Sequence, residues 1–134
     1  MKKALFIFSL FANLCFADVF YNADTALAHA EKNNKLLVVI AVSDTCHHCH
    51  DFLAKLNESG TMDIMSNKYD VVILEIKNNL DIFTNVFNIE VTPTTFILDP
   101  KKPQVKIPEI KGKADGNSIL NYLSSVEKEL IKIY

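Results

Sequence analysis

The sequence is short of several things, and each shortage narrows what the chain can do. It has no excess of positive charge, with 14 Lys+Arg against 16 Asp+Glu, so no basic field exists to hold nucleic acid. It has no internal repeat and no low-complexity tract. Its longest early apolar run, residues 4–14, is interrupted by Ser9 and falls short of the roughly 20 apolar residues a spanning helix needs, which argues against stable membrane insertion. Cysteine is scarce: there are three, Cys15, Cys46 and Cys49. Histidine outside residues 47–50 is His29 alone, most simply a partly exposed helix residue, and there is no second Cys-x-x-Cys. A closed zinc site built from two separated ligand pairs therefore lacks half its donors.

The first residues have the layout of a secretory signal peptide: Lys2 and Lys3, an apolar stretch, and a small residue, Ala17, before Asp18. Cleavage is expected there, giving a leader over 1–17 and one domain over 18–134. The remaining 117 residues suffice for a single core and not for two ordinary domains. Cleavage takes Lys2 and Lys3 away, moving the formal net charge from −2 to about −4. It also removes Cys15, leaving Cys46 and Cys49. A bridge closing so short a loop constrains the unfolded chain little, so reversible redox chemistry explains the pair better than stability does. Export to an oxidising, periplasm-like compartment permits such a bridge.

Along the chain, helix-like and strand-like stretches alternate. Residues 19–21 suit a short edge strand, and Asn22 or Asp24 can cap a helix reaching Asn33, with Ala26 and Ala30 on one face. The apolar runs 36–42 and 71–76 suit buried strands. Between them, Cys49, Phe52, Leu53 and Leu56 fall at helical spacing, Ser59-Gly60 marks a stop, and a second short helix over 61–67 carries Met62 and Met65 as packing residues. Helical spacing recurs over 80–87, Pro93 precedes a strand over 94–98, and a turn-rich connector leads to a strand-like 104–110. A last amphipathic helix starts near Asn117. The order β-α-β-α-β-α-β-β-α predicts an α/β fold: a mixed central sheet with helices on both faces, helix-joined strands parallel and the last two antiparallel.

The chemistry concentrates in Asp44-Thr45-Cys46-His47-His48-Cys49-His50. Two thiols three apart suit a redox dithiol; Cys46, Cys49 and His50 suit zinc, or an exported copper- or zinc-handling metallochaperone; and Cys-x-x-Cys-His is the attachment pattern of c-type haem. In the haem reading His50 is one axial ligand and Met62 or Met65 the other. Against it, the chain spends its apolar residues on strands. A thiol at a helix N-terminus meets unsatisfied backbone N–H groups at the positive end of the dipole, which favours its thiolate.

With the apolar strand 36–42, the Cys46–Cys49 motif opening the next helix and Thr92-Pro93 entering a strand 47 residues after Cys46, the chain resembles the thioredoxin superfamily over essentially all of 18–134. The resemblance implies a thioredoxin-like fold, Cys46 as exposed nucleophile, Cys49 as resolving thiol, and Thr92-Pro93 as a cis-proline loop that holds an extended substrate segment. It implies a protein thiol–disulfide oxidoreductase with cysteine-containing protein substrates, a second redox protein that resets the dithiol, and no organic cofactor. His47 and His48 are expected to tune the redox poise, leaning toward oxidation or isomerisation. The chain departs from the family's usual pattern in three places: Thr45 where many members carry tryptophan, two histidines in place of Gly-Pro, and Ile40 where thioredoxin carries a buried acid. Glu75, the only charge in the strand over 71–76, is the candidate replacement for that acid as a proton relay.

Overall fold

A computed structural model describes residues 19–133; the expected leader and Cys15 lie outside the described residues. The elements are α1 (Ala23–Asn33), β1 (Leu37–Val42), α2 (His47–Glu58), α3 (Thr61–Lys68), β2 (Asp70–Glu75), a 3-10 turn at Ile76–Asn78, α4 (Leu80–Asn85), β3 (Thr94–Leu98), β4 (Ile110–Lys111) and α5 (Gly116–Lys132). The sheet order is β2-β1-β3-β4.

Strand β1 is central because every one of its six residues is buried; a strand covered on both faces reads as a continuous apolar run. Its Val38, Ile40 and Val42 pack with Cys49 and Phe52 of α2, Met65 of α3 and Leu123 of α5. Its Leu37, Val39 and Ala41 pack on the other face with Ala26 and Ala30 of α1 and Phe83 of α4. One face thus carries α2, α3 and α5, the other α1 and α4. Burying a large aliphatic or aromatic side chain contributes about 1.5–3 kcal/mol, so these two layers supply the main driving force for the fold.

Helix boundaries follow local chemistry. Asn22 caps α1 through its side chain, which accepts from Thr25 N at 2.9 Å, and Asn34 ends it in the left-handed region at φ 55°, which asparagine tolerates better than most residues. Asp115 caps α5, accepting from Ser118 N at 3.0 Å. Gly116 is required by contact: a Cβ there would run into the side chain of Thr61 at the start of α3.

Four sequence expectations are corrected. Strand β1 pairs in parallel with β2 but antiparallel with β3, so β2 and β3, though joined through a helix, do not run parallel. Strand β2 ends at Glu75 opposite Val42 and β3 begins at Thr94 opposite Ala41, so the connection leaves and re-enters at the same end of the sheet. Of residues 76–93 only the 3-10 turn and the six-residue α4, about 9 Å long, are helical, so no crossover helix as long as a strand, roughly 20 Å, lies between β2 and β3. The helical spacing over 80–87 also overshoots, since α4 stops at Asn85 and Leu80 and Val86 are exposed. The strand expected over 104–110 shrinks to β4, where Ile110 pairs with Thr95 and Lys111 with Thr94. Pro103 and Pro108 offer no N–H to a ladder, and Val105 and Ile107 pack on the core from an irregular loop instead. Residues 19–21 form a single bridge, Phe20 to Val72.

Candidate active site: a dithiol at the mouth of α2

The chain leaves β1 at Val42 and turns at once, with Cys46 N donating to the Ser43 carbonyl at 3.1 Å. Cys46 is the N-cap of α2, with extended backbone (φ −92°, ψ 103°), and its sulfur takes the place usually held by a serine or aspartate oxygen. The Cys49 backbone N–H donates to Cys46 Sγ at 3.1 Å. No acidic side chain sits in the first turn of α2, so a Cys46 thiolate is itself the anion that answers the helix dipole.

The second wall of the site comes from the loop before β3. The Thr92–Pro93 peptide bond is cis, as the resemblance implied. The Cys46 thiol donates toward the Thr92 carbonyl at 3.6 Å. Two hydrogen bonds fix this loop: Gly112 N to the Pro93 carbonyl at 2.8 Å and Thr94 Oγ1 to the Val91 carbonyl at 2.6 Å. Thus the end of β1, the start of α2 and the entry to β3 meet at Cys46, as the sequence reading placed them.

The two sulfurs differ in access and acidity. Cys46 is partly exposed and Cys49 is fully buried; both are thiols in this structure. Burial pushes the Cys46 thiol up, but hydrogen bonds from the Cys49 thiol, the Thr92 side chain and the backbone N–H groups of Cys49 and His48 outweigh it, and Cys46 ionises below the ordinary thiol range. Burial and the neighbouring Cys46 sulfur push Cys49 up; the Ser43 backbone and Thr92 offset only part of this. The pair is therefore one accessible, acidic thiol beside one enclosed, weakly acidic thiol.

The remaining expected residues fall as follows. His47, His48 and His50 are all exposed on α2, with His48 reaching Cys46 through its backbone. Glu75 ends β2 opposite Val42, half-buried, on the same side of the sheet as Cys49. The influences that act most on the Cys49 thiol are burial, then Cys46, the Ser43 backbone and Thr92. Met62 and Met65 are buried in α3 while His50 faces solvent, so the residues of the haem reading are not gathered around one centre and do not fit that group. Among the described residues no cluster of three or more His, Cys, Asp or Glu side chains could hold a metal ion, and no helix is long and apolar enough to cross a membrane.

Three ion pairs near the site were not anticipated. Lys77 pairs with Asp44, Lys111 Nζ lies 2.7 Å from Glu90 Oε2, and Lys113 Nζ lies 3.0 Å from Asp51 Oδ2. Each joins distant stretches of chain, so only the fold could reveal it. His29 also has an unforeseen partner: its Nδ1 lies 2.6 Å from Oδ2 of the buried Asp70.

No protein-family model matches the sequence, and no curated protein matches it. Solved structures do. A thioredoxin from Thermus thermophilus superposes with a TM-score of 0.71 at 19% identity, covering 82% of this chain and 87% of that one. Chloroplastic thioredoxin z gives 0.65 at 19% identity, with 83% and 96% covered. The germline-specific thioredoxin Deadhead of Drosophila melanogaster gives 0.61 at 14% identity, with 81% and 97% covered. The chain has the thioredoxin fold. Within that fold Cys46 and Cys49 occupy the mouth of α2 and Thr92-Pro93 the facing loop, so the motif reading and the architecture agree.

Proposed function

We propose that this protein is a thiol–disulfide oxidoreductase acting on cysteine-containing proteins through Cys46 and Cys49. The observation that carries the reading is the asymmetry of the pair: Cys46 is accessible and ionises low, while Cys49 is enclosed and ionises high. The thiolate is the nucleophile in thiol–disulfide exchange. Cys46 attacks a client disulfide, its sulfur forms the new bond, and one client sulfur leaves as a thiolate; Cys49 then attacks the mixed disulfide, closing the Cys46–Cys49 bridge and releasing the second client thiol. Run in reverse, the bridge oxidises a client dithiol. The Thr92-Pro93 loop beside Cys46 is the place for the client segment.

The reading extends to direction and place. His48 donates to Cys46 through its backbone N–H, His47 and His48 are the polar residues between the two sulfurs, and stabilising the reduced, thiolate form of Cys46 makes the disulfide a stronger oxidant; an oxidase or isomerase role follows. The leader-like residues 1–17 support export to the periplasm or an equivalent compartment, where a second redox protein resets the pair. Trapping tests the reading: the Cys49→Ala variant, expressed with its leader, is expected to accumulate mixed disulfides between Cys46 and client proteins. If no disulfide-linked adducts form that reductant releases, the protein does not act on protein cysteines.

A further inference from the structure

One buried hydroxyl on the dithiol's side of the sheet, that of Thr95, makes no hydrogen bond among the described residues. Thr95 is 1% exposed. Its orientation follows from register: Thr95 pairs with Ile40 of β1 on one side and Ile110 of β4 on the other, and directly opposed residues in a ladder share a face. Ile40 and Ile110 both pack in the cluster that contains Cys49. That face of the sheet otherwise presents valine and isoleucine, apart from Glu75 at the end of β2.

The energetics make the hydroxyl conspicuous. A buried donor left unmade costs stability, whereas an apolar isostere in its place is neutral or stabilising. Valine would fit the same volume beside Ile40 without that cost. Cys49, meanwhile, sits in an apolar cluster and must become a thiolate during exchange, at the point where a charge is hardest to hold.

Resting on the dithiol reading above, we propose that Thr95 is a positioning residue for the resolving step: its hydroxyl, which makes no hydrogen bond to the resting Cys49 thiol, turns to donate one, directly or through one water, to the Cys49 sulfur as that sulfur ionises. In this step the Cys49 thiolate bonds to Cys46 Sγ and the Cys46–client S–S bond breaks. The client sulfur leaves with the electron pair and takes up a proton, balancing the one Cys49 lost. On the sheet face that packs with Cys49 the one ionisable side chain is Glu75, at the end of β2, while β1, β3 and β4 present none there; Cys46 lies at the start of the same helix, and Tyr69, after α3, and Tyr122, from α5, share the cluster.

The reduced protein mixed with 5,5′-dithiobis(2-nitrobenzoate) separates the two steps, because the first thionitrobenzoate released reports attack by Cys46 and the second reports resolution by Cys49. In Thr95→Val the first release is expected to keep its wild-type rate. The second slows on the order of tenfold, as for loss of one hydrogen bond to a charged group, and its pH midpoint moves up. Thr95→Ser restores both, and thermal unfolding of Thr95→Val is no earlier than wild type. A second release in Thr95→Val with wild-type rate and pH midpoint overturns the proposal, as does a Thr95→Ser variant as slow as Thr95→Val. So does a result in which Glu75→Gln, and not Thr95→Val, slows resolution. A wild-type protein that releases only one equivalent contradicts the dithiol reading itself, a separate outcome.

Discussion

The sulfur of Cys46 is acidic because it replaces a capping oxygen at a helix start. Backbone N–H groups of His48 and Cys49 reach it, the Thr92 side chain adds a further donor, and together they outweigh the cost of partial burial. The sign for pH follows: a depressed pKa means that Cys46 is a thiolate over a range where an ordinary cysteine is still a thiol, and Cys49, pushed the other way, is not. Alkylation by iodoacetamide, followed residue by residue by mass spectrometry, should modify Cys46 with a midpoint below the ordinary thiol range and leave Cys49 unmodified there. Equal midpoints would remove the division of labour. The two histidines belong to the same scale. The double variant His47→Gly, His48→Pro should lower the dithiol potential toward the roughly −270 mV of thioredoxin, measured by equilibration with glutathione; an unchanged potential would assign the histidines to solvent alone.

At the scale of elements, what the sequence disclosed depended on whether the deciding interaction was local. Strand β1 and helix α2 were legible because an unbroken apolar run and the Cys49-Phe52-Leu56 spacing each state their environment directly. The boundaries of α1 were legible through Asn22. The antiparallel relation of β3 to β2 was not, because it turns on the shortness of α4, and the apolar residues over 80–87 gave that segment the spacing of a longer helix. The loop over 103–109 misled for a related reason: Val105 and Ile107 do face the core, but prolines deny the segment its ladder. Thr95 looked like one more strand residue, and its lack of a partner exists only in three dimensions. Contact between elements gives a testable case. Gly116→Ala should destabilise the fold by about 1–3 kcal/mol through overpacking against Thr61, read by urea unfolding, and adding Thr61→Ala should recover part of the loss. Additive effects would show that the two helix starts do not press on each other.

At the scale of the whole molecule, the sheet gathers three chain segments at one end and leaves the rest as support. The ends of β1 and β2 and the start of β3 lie level with one another, so the dithiol, the cis-proline loop and Glu75 share that end while α5 packs in the same buried cluster as Cys49. Because Cys49 belongs to the core on that face, disulfide formation there couples redox state to packing, and the reduced and oxidised forms should unfold at different denaturant concentrations. If the disulfide is the strong oxidant the histidines favour, the reduced form is the more stable, since a bridge that is easily reduced is one whose reduced protein is stabilised; a more stable oxidised form would reverse the expected direction of electron flow.

The central claim is that Cys46 and Cys49 interconvert reversibly between dithiol and intramolecular disulfide. Equilibrating the protein over residues 18–134 in graded glutathione buffers, then quenching and counting free thiols by mass, measures this directly. The account predicts a single two-electron transition to a Cys46–Cys49 bridge, with a potential above about −270 mV and in the range of roughly −200 to −120 mV. Failure to form the bridge at any buffer ratio would contradict the account.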